Sequence, residues 1–121
     1  MPDSVRLPLF PLGTVLFPGQ SIPLHVFEDR YRALVHDLLA VEDPAERLFA
    51  SVAIREGYEV GDHGAQSLYR VGCAVQLTEV EENPDGSFDV VGVCRERIRM
   101  DGLVPRGAYA TASAAVRISE P

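Results

Sequence analysis

The chain has 121 residues, 46% of them hydrophobic, with a formal net charge of −7 and a pI of ≈ 4.8. That length fits one domain with a real core, and the acidic balance disfavours a phosphate-binding surface, whose affinity rests on basic groups. All 11 basic residues are arginine, which excludes a phosphate-loop lysine, a Schiff-base lysine and a Ser–Lys dyad from this polypeptide.

No window approaches the run of about 18 apolar residues that a membrane helix needs. The opening MPDSVRLPLF has no basic region followed by an unbroken apolar stretch, so a cytoplasmic location is expected. Pro8, Pro11, Pro18 and Pro23 punctuate the most apolar segment of the chain. Proline cannot donate to a ladder, so these residues predict short extended pieces at strand starts, edges and turns rather than a central strand. Residues 5–12 and 14–17 are read as two such pieces.

From residue 22 to 27 the chain alternates, with Ile22, Leu24 and Val26 on one face and Pro23, His25 and Phe27 on the other, which predicts a strand. The period then changes. Tyr31, Leu34, Val35, Leu38 and Leu39 form a single helical stripe. Glu28 and Asp29 suit the positive helix N-terminus, and the helix should end near Ala40. A buried strand is expected over 48–54, followed by a Gly-rich loop over 55–67.

Alternation returns from Arg70, with Val71, Cys73, Val75 and Leu77 sharing one face. Val80 breaks that parity, so a bulge or bend is expected near Thr78 and Glu79. Asn83-Pro84-Asp85-Gly86 is a turn signal. It predicts a hairpin whose second strand runs from Phe88 through Cys94 and on to Met100. Tyr109 to Ile118 reads as a last strand. Many strands with one early helix define an α+β domain that is mainly β.

Three segments, in this order, resemble the N-terminal substrate-binding domain family of Lon protease. They are LPLFPLGTVLFPGQSIPLHVFEDRYRALV, then VGCAVQLTEVEENPDGSFDVVGVCRERIRM, then YATASAAVRISEP. The resemblance covers nearly the whole chain. It implies a PUA-like pseudobarrel of about six strands with one early amphipathic helix and a long hairpin, as a single domain over 1–121. It also implies a non-catalytic module that binds unfolded or degron-bearing polypeptides, or another protein. RNA binding is the alternative, because PUA-like folds elsewhere hold RNA. The family's ATPase and peptidase modules, and its C-terminal helical extension, have no counterpart in this sequence, which fits either a stand-alone bacterial relative or an excised piece. No catalytic residue, metal or cofactor is expected.

His25, His36 and His63 have no spacing that brings them together and are read as solvated surface residues. Cys73 and Cys94, in apolar runs, are read as small buried hydrophobes. Arg95, Arg97 and Arg99 alternate along one strand and are expected to share a face and to pair with the domain's own acids. Arg95 and Arg97 match the family's Arg-x-Arg positions and Glu28 its strand-end acid, so a structural link between Glu28 and Arg95 is expected. For a partner, the aromatic candidates are Phe17, Phe27, Tyr31, Tyr58 and Tyr69.

Overall fold

The computed structural model describes residues 4–12, 15–52, 71–106 and 109–115. In chain order the elements are β1 (Ser4–Pro8), β2 (Ser21–Val26), α1 (Asp29–Leu39), a 3₁₀ turn (Pro44–Glu46), β3 (Leu48–Ser51), β4 (Val71–Glu82), β5 (Phe88–Arg106) and β6 (Tyr109–Ala115). The sheet order is β1-β6-β5-β4-β3, with β2 added to the first half of β5, and every strand pairing is antiparallel. The expected mainly β architecture with one helix is therefore present. The expected loop over 55–67, including Tyr58 and His63, lies outside the described residues, as does Tyr69.

Each of the four prolines falls at a strand end, in a turn or at a position whose amide would face away from the partner strand. Pro8 closes β1 opposite Thr111. Beyond it the chain runs parallel to β3, where Phe10 N–H donates to Ala50 O and Leu12 N–H to Val52 O, both at 2.9 Å. Pro11 lies between these two donors, at the position whose N–H would have pointed away. Pro18 and Gly19 occupy the centre of a type II turn. Gln20 N–H donates to Phe17 O at 2.9 Å, and Gly19 supplies the left-handed φ of 89° that this turn requires. Pro23 sits in β2 opposite Val91. Cys94 N–H donates to Gln20 O, which puts the hydrogen-bonded pairs of β2 and β5 at even positions of β2. The amide Pro23 lacks would have faced away from β5.

α1 packs Leu34, Val35 and Leu38 into the core. Of the predicted stripe, Tyr31 is half-buried and Leu39 is 37% exposed. Glu28 caps α1 through its carbonyl, which accepts from the amides of Tyr31 and Arg32; its side chain makes no capping bond. The turn after β4 also forms as expected. Gly86 N–H donates to Asn83 O at 2.9 Å, Gly86 has φ 90°, and Asp85 Oδ1 accepts from the Ser87 amide and hydroxyl. A type I turn followed by a left-handed glycine closes the hairpin.

Two register shifts interrupt the β4–β5 ladder. One is the expected bulge: Leu77 pairs with Gly92 and Glu79 with Val91, leaving Thr78 as the extra residue, its hydroxyl donating to Val91 O at 3.1 Å. The second falls on β5, where Val75 pairs with Cys94 and Ala74 with Glu96, so Arg95 is the extra residue. Its effect on packing is large. Cys94 lies in a main core with Leu34, Phe49, Val75 and Phe88, whereas Ile98 lies in a second core with Leu9, Ala50, Val52 and Ala74. Simple alternation would put Cys94 and Ile98 on one face. The bulge switches the face, and one strand serves two cores.

Candidate functional site

β2 ends at Val26, whose side chain is 2% exposed, so the pleat throws the next residue, Phe27, outward. Its ring is 57% exposed. Immediately afterwards α1 begins, and its first turn carries Tyr31 back over the proline-punctuated segment, where the Tyr31 and Phe10 rings stack at 4.4 Å. Between these elements is an open groove of about 270 Å³, floored by Phe10, Pro11, Val26, Phe27 and Tyr31 and edged by His25, Glu28 and Arg30. The Arg30 guanidinium lies 5.1 Å above the Tyr31 ring, and Glu28 accepts from Arg30 Nε at 3.4 Å. Burial raises the Tyr31 hydroxyl above its ordinary pKa, partly opposed by Arg30, so the ring enters the groove wall neutral.

A wider depression of about 770 Å³ lies on the other side of His25, over Pro23, Val80 and Val91, but Glu79, Glu81 and Asp89 line it. His25 Nδ1 and Asp89 Oδ1 are 2.8 Å apart, and Asn83 Nδ2 also donates to Asp89. The His25 and Asn83 contacts hold the Asp89 carboxyl below its ordinary value. Three carboxylates make this depression a poor seat for an apolar segment, and the smaller groove is the better candidate.

Of the aromatic candidates, Phe27 and Tyr31 meet in this groove. Phe17 lies elsewhere, 54% exposed at the turn before β2, while Tyr58 and Tyr69 lie outside the described residues. Phe10 and Pro11 complete the groove and were not anticipated. Their only signal was proline spacing, which reveals an extended piece but not its neighbour.

The expected link between Glu28 and Arg95 is corrected by the strand register. Val26 faces Phe88 and Ser21 faces Val93, so Glu28 lies beyond one end of the pairing and Arg95 beyond the other, with a paired stretch of about 17 Å between them at ~3.3 Å per residue. Glu28 contacts Arg30, and Arg95 Nε donates to Gln76 Oε1 at 2.7 Å. The arginine ladder is also split. Arg97 pairs with Cys73 and Arg99 with Val71, whereas Arg95 reaches Gln76, and Cys73 and Gln76, three residues apart on one strand, face opposite ways.

The described residues thus form a mainly antiparallel β domain with one early helix and an apolar groove beside the start of that helix. Residues 6–120 match the family of the ATP-dependent protease La (LON) substrate-binding domain, and the chain belongs to that family. It is 30% identical over 110 residues to the Lon protease of Flavobacterium johnsoniae, covering 90% of this chain and 13% of that protein. It is 35% identical over 86 residues to the Lon protease of Elusimicrobium minutum, covering 69% of this chain and 10% of that one. The chain thus spans only a small part of the proteases it resembles. Among solved structures, a Lon N-terminal domain protein from Xanthomonas campestris superposes with a TM-score of 0.68 at 26% identity, over 91% of this chain and 58% of that chain. The N-terminal domain of Lon protease from the Mycobacterium avium complex has the same fold, with a TM-score of 0.68 at 15% identity over 97% of this chain and 56% of that one.

Proposed function

We propose that this domain is a non-catalytic recognition module that captures unfolded or degron-bearing polypeptide segments in the groove between Phe10, Phe27 and Tyr31. The observation that carries this reading is the exposed Phe27 ring, 57% accessible beside an apolar floor. Exposed aromatic surface of this kind is the usual anchor for an extended apolar segment. Membership of a substrate-binding family supports a protein ligand, and the −7 charge weighs against RNA as the rival ligand. The bound segment is passed to a proteolytic machine in the cytoplasm, whether on the same chain or another, and no cofactor takes part.

The test is binding of a fluorescent, uncharged apolar peptide, read by anisotropy at low and moderate salt. Phe27→Ala should weaken it by about tenfold or more, in line with the ~1.5–3 kcal/mol gained on burying one such side chain. Salt should leave the affinity nearly unchanged, since screening acts on charge pairs and not on apolar burial. No effect of Phe27→Ala, together with tight and strongly salt-dependent binding of a structured RNA, would sink this reading and promote RNA.

A further inference from the structure

A second surface lies at the opposite end of β2, and nothing in the groove argument uses it. The bulge at Arg95 leaves Arg97 and Arg99 on one face of β5, opposite Cys73 and Val71, with their side chains two residues and so about 7 Å apart. Among the described residues neither guanidinium is paired with a carboxylate. In a chain with 18 acidic residues, two exposed arginines with no acidic partner among the described residues are a departure from what the composition predicts.

Beside them stands an exposed apolar side chain. Phe17 is 54% exposed, and the Arg97 guanidinium lies 5.9 Å from the centroid of its ring. Phe17 is not on a loose tip. Its amide donates to Gln20 Oε1 at 3.0 Å and its carbonyl accepts from Gln20 N–H, while Gly19 N–H donates to Cys94 O at 2.7 Å. Gly19 and Gln20 anchor the turn backbone to β5, which keeps Phe17 beside the strand that carries Arg97 before any partner arrives. That preorganisation reduces what a ligand must order on binding.

We propose that this face docks an extended acidic polypeptide segment, one in which an apolar side chain is followed on the same face by carboxylates two residues apart. Three features select that chemistry. The spacing of Arg97 and Arg99 equals the two-residue repeat of an extended peptide, so successive same-face carboxylates meet successive guanidiniums. Guanidinium forks match carboxylates in shape and charge. The exposed Phe17 ring takes the apolar side chain. Two arginines on an acidic chain make too short a track for a nucleic-acid backbone, whose affinity is built from many phosphate contacts.

The experiment compares a labelled peptide containing Phe-Ser-Glu-Ser-Glu with its Phe-Ser-Gln-Ser-Gln isostere on the same protein. The glutamate peptide should bind about fivefold tighter at low salt, the scale of one or two exposed charge pairs, and salt should erase the advantage. Arg97→Gln should abolish the preference. Arg99→Gln, which leaves the Arg97–Phe17 contact intact, should reduce it while melting like wild type. Because the two peptides differ only in charge, the comparison stands whether or not the groove binds apolar segments. Equal affinity for the two peptides overturns the proposal. So does a single-stranded RNA oligonucleotide that outcompetes the glutamate peptide with the same dependence on Arg97.

Discussion

The rings of Phe10 and Tyr31 lie face to face, 4.4 Å between centroids and 1° between planes. This contact fastens the first turn of α1 to the segment that runs along β3, and it forms the closed side of the groove. Tyr31→Ala should therefore act twice. It should lower stability by about 1–3 kcal/mol, less than the full cost of a deeply buried aromatic, and it should weaken apolar peptide binding. Tyr31→Phe keeps the stack and should do neither. Calorimetry and anisotropy on the same samples check both. A Tyr31→Ala protein that melts like wild type would show that the stack holds nothing in place.

Leu34 is 1% exposed and Leu39 is 37% exposed, though both belong to one apolar stripe. Leu34→Ala should cost about 2–5 kcal/mol through lost burial and the cavity left behind. Leu39→Ala should stay within about 1 kcal/mol. Urea titration of the two variants separates them, and similar losses in both would contradict the orientation of α1.

Cys73 and Cys94 are both buried and carry free thiols. Cys73 Sγ donates to Leu16 O at 3.2 Å. The Cys94 thiol is pushed far above its ordinary value, chiefly because it shares a hydrogen bond with Cys73 and also because of burial. The same hydrogen bond lowers the Cys73 thiol, but both sulfurs are closed off by the core, so neither should react with a maleimide in the native protein near neutral pH. Both should react in denaturant. Mass spectrometry counts the labels, and a native adduct at either position would refute this packing.

Asp85 and Asp89 both ionise below the ordinary carboxylate value of 3.8, Asp85 through the Ser87 hydroxyl and amide, Asp89 through His25 and Asn83. A depressed folded pKa means that each contributes stability that is complete above that ordinary value and is lost as pH falls through the lowered one. Unfolding midpoints should therefore drop as the solution is acidified below about pH 4. Asp85→Asn should flatten that part of the curve and leave the slope between pH 5 and 7 unchanged. An identical acid limb in the variant would remove Asp85 from the account.

The helix was legible because its stripe has one period, and the Thr78 bulge was legible because Val80 visibly breaks parity after Leu77. The Arg95 bulge left no such mark. Cys94, Glu96 and Ile98 keep alternating on paper, so the face switch emerges only from pairing with β4. The Glu28–Arg95 expectation failed for a related reason: a residue's partner across a sheet is fixed by register, and no local pattern states the register. The groove was half visible. Alternation along β2 put Phe27 on the outward face with Pro23 and His25, but the arrival of Phe10 beside Tyr31 depends on a parallel bridge from Leu9 to Ala50, which sequence order does not announce.

Pro23 has one more consequence. On the outer side of β2 the backbone amides that would face a newcomer belong to Ser21, residue 23 and His25, and the middle one is missing. A strand approaching this side would meet a ladder with its central rung removed, and open strand edges otherwise recruit further chains into aggregates. The missing amide at Pro23 denies such a strand a continuous template along the outer side of β2.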